Sequence, residues 1–157
     1  MDLAIPEPLE HEHAELHREL ARLTKLPGKV GAGARRVAEL LHPHFVKEEE
    51  YALPPLGLLA ALAEGRVTPE MRSVTALTDR LRADLPHMLA EHRAVVKALA
   101  ALARAAKAER APAAARFAAA LRLHARTEEA VLYPAAILVG EYVKSALARE
   151  SARVTAG

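Results

Sequence analysis

Apolar residues recur along the chain at spacings of three and four, the period of an amphipathic helix, and four long stripes can be traced. The first reads Leu9, His13, Leu16, Leu20, Leu23. It belongs to a helix expected over about residues 8–26, opened by Pro6 and Pro8 and stopped by Pro27-Gly28. KLPGKVGAGA reads as a loop, and a second helix is expected from about Ala34, with stripe Val37, Leu41, His44, Glu48, Tyr51 and an end or break at Pro54-Pro55. LGLLAALAEG predicts a short apolar helix closed by Gly65. Thr68-Pro69-Glu70 predicts a helix start, with a hydroxyl N-cap, and the pattern then runs to about Glu109.

Pro86 predicts a kink or break near 83–86 in that third long stretch, followed by the stripe Leu85, Met88, His92, Val95, Leu99, Leu102. The fourth begins at about Pro112 and carries Phe117, Leu121, His124, Glu128, Val131. Pro134 is expected to kink or end it, and VGEYVKSALARESARV predicts a terminal helix fraying at Thr155-Ala156-Gly157. Four long amphipathic helices with short connections predict an all-α fold: an antiparallel up-down-up-down four-helix bundle with short extra helices. The expected organisation is a single domain over 1–157, with its bundle core at about 8–134 and a C-terminal helical extension at 135–157.

Six of the stripe positions hold a polar residue where the pattern calls for a leucine: His13, His44, Glu48, His92, His124 and Glu128. Two carboxylates without partners in such a core would cost several kcal/mol each, so something must compensate them. The six are also repeated. HFVKEEEYALP and HARTEEAVLYP share His-x-x-x-Glu and a proline at a constant offset of 80 residues (44 to 124, 48 to 128, 54 to 134). Glu12-His13 and Glu91-His92 echo each other before the two copies. The chain therefore reads as two related helical hairpins, each bringing two histidines and a carboxylate.

Composition narrows the chemistry. Apolar residues make up 52 % of the chain and aromatics only 3 %, a mix that favours helix. The 22 basic and 20 acidic residues are interleaved, so the pI near 9.1 reflects no basic patch and nucleic acid is not an expected partner. No uninterrupted apolar run reaches the roughly 18 residues of a bilayer span, and MDLAIPEPLEHEH lacks a signal-peptide apolar core, so no membrane partner and a cytoplasmic location are expected. With no cysteine, thiolate metal sites and thiol catalysis are excluded.

His-x-x-x-Glu puts both side chains on one helix face, because four residues turn about 400°. Imidazole and carboxylate without thiolate suit iron or manganese, with zinc and copper as alternatives. Four histidines and two carboxylates exceed the needs of one ion and fit two ions about 3.5–4 Å apart, each glutamate bridging both. Two six-coordinate ions offer about twelve positions, of which roughly two stay open for a small ligand such as dioxygen, peroxide or nitric oxide.

With these residues in place the chain resembles the hemerythrin / HHE cation-binding family over nearly all of 9–134. The resemblance rests on Glu12-His13, His44-x-x-x-Glu48, Glu91-His92 and His124-x-x-x-Glu128. It implies a four-helix bundle holding a non-heme di-iron centre, two iron ions bridged by oxide or hydroxide. His13, His44, His92 and His124 would be terminal ligands, and Glu48 and Glu128 the bridges. Oxygen-carrying members have a further histidine one turn before the third-helix ligand. Here Met88 stands there, and the resemblance is to the branch with a symmetric H…HxxxE…H…HxxxE pattern.

Tyr51, seven residues after His44 and on its face, is the expected occupant or neighbour of the vacated position, and any asymmetry between the halves should start at the pair Tyr51 and Val131. His17 is expected at a rim. His87, His11 and His42 read as surface residues, and so do Glu12, Glu49, Glu91 and Glu129, with a hydrogen bond to a ligand imidazole open to the four glutamates.

Two functions follow from this reading. One is a peroxide- or nitric-oxide-consuming di-iron oxidoreductase with a catalase- or peroxidase-like activity. The alternative is a reversible O2 or NO sensor, carrier or iron-binding protein without turnover. Either takes small molecules as partners, with a separate electron donor where one is needed, and a monomer or weak dimer is expected.

Overall fold

The computed structural model describes residues 3–155, Val154 by its backbone only, and shows helices joined by turns with no strand among the described residues. Helix α1 spans Glu7–Leu23 and α2 spans Gly28–Lys47. A π turn at Glu48–Ala52 and a 3-10 turn at Pro54–Leu58 lead to the short α3, Leu59–Ala63. After a 3-10 turn at Pro69–Ser73 comes α4, Val74–Ala108. Helix α5, Pro112–Thr127, passes through a second π turn, Glu128–Leu132, into α6, Tyr133–Thr155. Helix α1 packs on α2 and α5, and α4 packs on α2, α5 and α6, which makes a helical bundle.

Four expectations change. KLPGKVGAGA is a turn only over 25–27: α2 starts at Gly28, where the Glu109 carboxylate accepts from two of its free backbone donors, Lys29 N–H at 2.8 Å and Val30 N–H at 3.1 Å. Gly28 has φ +72°, and a Cβ there would lie 3.0 Å from the Glu109 oxygens, so only glycine suits the position. Pro86 lies inside an unbroken α4. Pro134 neither ends nor separates a helix, since the helical stretch continues from Pro112 to Arg153. The N-cap expected of Thr68 makes no side-chain cap bond. The fraying expected at Ala156 and Gly157 lies outside the described residues.

The Pro112–Arg153 stretch is long and apolar enough, by length and composition, to cross a membrane. Glu128, Glu129, Glu141 and Lys144 interrupt it, and its inward face packs in the bundle.

The apolar core falls into parts on either side of the polar cluster. One side joins Leu16, Leu20, Val37, Phe45, Leu99 and Phe117 with their neighbours on α1, α2, α4 and α5. The other joins Tyr51, Leu53, Leu81, Met88 and Tyr133. The cap between α2 and Glu109 closes the far end of the first part. Removing it by Glu109→Ala leaves two backbone donors without that acceptor and is expected to cost about 1–2 kcal/mol, read as a lower urea midpoint with unchanged slope. An unchanged midpoint would show that water replaces the carboxylate at no cost.

Candidate metal centre

Both copies of the repeat leave their α-helix at the glutamate. Leu53 N–H donates to Glu48 O at 2.9 Å, and Tyr133 N–H donates to Glu128 O, each a bond five residues back instead of four. The following residues, Pro54 and Pro134, have no N–H to place, so the widened turn leaves no donor stranded there. The extra residue rotates everything after the glutamate. Val131, expected inside, is 54 % exposed, whereas Tyr133 is fully buried.

All six stripe residues are buried and converge: His13, His44, Glu48, His92, His124 and Glu128 are each at most 4 % exposed. They form two groups that share both carboxylates. His13 and His124 with Glu48 and Glu128 have donor atoms within 4.8 Å of one another, and so do His44 and His92 with the same two glutamates. Glu128 Oε1 faces His124 Nε2 at 2.9 Å and His13 Nε2 at 3.6 Å, while its Oε2 faces His92 Nε2 at 3.3 Å. Glu48 Oε1 faces His44 Nε2 at 3.0 Å and His92 Nε2 at 3.8 Å, while its Oε2 faces His13 Nε2 at 3.7 Å.

The outward nitrogens are held as well. His13 Nδ1 meets Glu49 Oε1 at 3.3 Å, His44 Nδ1 meets Glu91 Oε2 at 2.7 Å, His92 Nδ1 meets Glu129 Oε1 at 2.9 Å, and His124 Nδ1 meets Glu12 Oε1 at 3.2 Å. An ionised carboxylate only accepts, so each contact puts a proton on Nδ1 and aims Nε2 inward. The four contacts form a closed ring, in which Glu49 reaches α1, Glu12 reaches α5, Glu129 reaches α4 and Glu91 reaches α2. These glutamates are therefore not merely surface residues. Glu91 is the least exposed of them and is further held by Lys47 at 2.7 Å and His87 at 3.1 Å.

Charge explains why this cluster is tolerable without an ion. Burial by itself would lower the histidine pKa values. The carboxylates outweigh it, pushing His92 up to about 10 and His124 up to about 9, and raising His13 and His44. Burial works against ionised Glu128 too, yet the close approach of His124, His13 and His92 holds its carboxyl well below the usual range. Even so, His13 Nε2 and Glu48 Oε2 are buried with no hydrogen-bond partner, and the 2.9 Å contact of His124 Nε2 with Glu128 Oε1 lacks hydrogen-bond geometry. Unpartnered imidazole nitrogens and carboxylate oxygens in one small group are a donor set that fits a cation.

Tyr51 is buried beside Met88, the residue at the vacated position: its hydroxyl donates to Asp84 Oδ2 at 2.6 Å and lies 3.6 Å from Met88 Sδ, and Arg80 lies 4.2 Å above its ring. Tyr133 is the phenol at the cluster. Its hydroxyl donates to Glu48 Oε1 and lies 3.4 Å from His44 Nε2 and 3.3 Å from His92 Nε2. Burial first, and the Glu48 charge second, raise its pKa far above the ordinary phenol value. The signal for Tyr133 was present in the repeat, where it matches Leu53 rather than Tyr51. A strict 3.6-residue period hides it. His17 is half-buried, with its ring edge-on to Phe45 at 4.8 Å, while His11, His42 and His87 are exposed, as expected.

Comparison with known families agrees with this arrangement. The family model described as the hemerythrin HHE cation binding domain matches residues 4–136 and again residues 83–152. The second match starts nine residues before His92, as the first starts nine residues before His13, in keeping with the internal repeat. No curated protein and no solved structure matches the chain.

Proposed function

The chain belongs to the hemerythrin HHE cation-binding family, and from that premise we propose that its buried cluster holds two iron ions and that the protein disproportionates hydrogen peroxide, with dioxygen and nitric oxide as further ligands. In this reading His13 and His124 would hold one ion and His44 and His92 the other, with the carboxylates of Glu48 and Glu128 shared between the two groups. The observation that supports it most is the sharing of both carboxylates by two groups of inward-facing imidazoles. An antiparallel up-down-up-down course within one domain belongs to the same reading and is supported by the short connections 24–27 and 109–111.

A bound iron pair supplies redox change and Lewis acidity to a small ligand. The chain's own residues do the rest. The carboxylate ring fixes each imidazole's tautomer and direction, and the flanking apolar clusters exclude bulk water. Tyr133 keeps a proton on its hydroxyl beside Glu48 Oε1, on a carboxylate that both donor groups share, so it can hold a proton for either. Disproportionation turns two peroxide molecules into two waters and one dioxygen, so it needs proton handling but no outside electron donor.

The test is metal analysis followed by a peroxide assay. About two irons per chain are expected, with oxygen evolution well above that of the same amount of free iron. Tyr133→Phe should keep the iron and lower the rate by about tenfold to a hundredfold, whereas Tyr51→Phe should have a much smaller effect. Peroxide loss no faster than with free iron would overturn turnover. The apolar wall of Phe45, stacked on His13 at 4.1 Å, favours a second reading, reversible O2 or NO binding. Release of the unchanged gas from the reduced protein would establish that reading.

A further inference from the structure

The two halves of the cluster differ in what meets their inward atoms. In the His44/His92 half the Tyr133 hydroxyl sits among Glu48 Oε1 and both Nε2 atoms. In the His13/His124 half no hydroxyl of the described residues takes that place, and His13 Nε2 and Glu48 Oε2 are buried without a hydrogen-bond partner, 3.7 Å from each other. The repeat gives the cause. Leu53 stands 80 residues before Tyr133, at the same place after its own glutamate and π turn. A leucine carries no polar tip to fill the position.

Leu53 instead lines, with His13, a cavity of about 330 Å³ whose walls include Ile5 and Ala14. Its exposed edge carries Glu10 and Glu49. A cavity that reaches a buried imidazole between Ile5, Ala14 and Leu53 suits a small ligand, and the two carboxylates on its edge, beside the half-buried His17, favour a neutral one over an anion. We infer that the neutral ligand, of the peroxide, dioxygen or nitric oxide kind, enters through this cavity and binds in the His13/His124 half, and that Leu53 keeps that position open. The inference rests on the di-iron reading and names which half of that site takes the ligand.

Nitric oxide added to the reduced, iron-loaded full chain is the probe, titrated by its visible absorption, with iron measured on every sample. The wild type should bind about one nitric oxide per chain. Leu53→Tyr should keep its iron and weaken binding by about tenfold or more. Tyr133→Leu should raise the stoichiometry towards about two. Ala14→Phe, at an exposed position of the cavity wall, should slow association about tenfold without altering iron content. It decides the matter if Leu53→Tyr does not fold. Iron-loaded variants with wild-type affinity, stoichiometry and association rate would overturn the inference and leave the di-iron reading standing. A wild type that binds no iron would overturn both.

Discussion

Glu128→Gln is expected to remove metal from both halves of the centre at once, whereas His13→Ala should empty one half. The glutamate is a member of both donor groups, and its two oxygens face different imidazoles: Oε1 faces His124 and His13, and Oε2 faces His92. An amide of the same shape keeps the packing but carries no charge and offers one oxygen in place of two. Metal analysis after matched iron loading should therefore fall from about two ions per chain to well below one for Glu128→Gln, and to about one for His13→Ala. Two retained ions in Glu128→Gln would refute the shared-carboxylate reading. The variant should remain folded, because Glu128 is one of six converging side chains between two apolar clusters that do not depend on it.

Metal removal is expected to give a folded protein whose stability depends strongly on pH. Without a cation, the imidazoles keep the carboxylates company as protonated partners. His92 is pushed up to about 10 and His124 to about 9 from an ordinary 6.5. A raised histidine pKa stabilises the fold fully below 6.5 and loses that contribution as pH climbs through the folded value. Glu128 works in the opposite direction: its depressed pKa contributes above about 4.5 and is lost as pH falls through its lower folded value. The metal-free stability should thus peak between roughly pH 5 and 6.5 and decline towards pH 10 by on the order of a few kcal/mol, with the melting temperature following it. Bound metal replaces the Nε2 protons. Loading should therefore release protons, raise the melting temperature and flatten the alkaline decline. Scans of loaded and metal-free protein from pH 5 to about 10 decide it, and parallel profiles would mean the cation does not sit on these imidazoles.

The two halves share their ligands but not their surroundings. Among the described residues a phenol meets the carboxylates in the His44/His92 half, where Glu91 is joined from outside by Lys47 and His87. On the other side, Phe45 covers one face of His13 and Leu53 leaves room. The two copies of the repeat thus differ beside the cluster at one register position, which places a phenol at one half and a leucine at the other, Tyr133 against Leu53.

Much of this could be read from residue order alone. The helical class follows from the spacing of apolar residues, and the six ligand candidates follow from polar residues standing at leucine positions and recurring 80 residues apart. Both are periodic signals, and the period of a helix is set by the local backbone, so order along the chain suffices to place them on one face. What escaped that logic depends on the partner or on the hydrogen-bond ladder. Glu109 turns a glycine-rich segment into the first turn of α2 from the other end of a neighbouring helix. Glu12, Glu49, Glu91 and Glu129 point away from their own stripes and find their histidines on adjacent helices. The π turns shift the phase after Glu48 and Glu128, moving Val131 out and Tyr133 in, so the phenol at the site was assigned to Tyr51 by a period that the backbone does not keep there. The face on which His-x-x-x-Glu stands is a property of one helix; the carboxylates that orient each imidazole, and the phenol that joins one half of the cluster, arise where four helices meet.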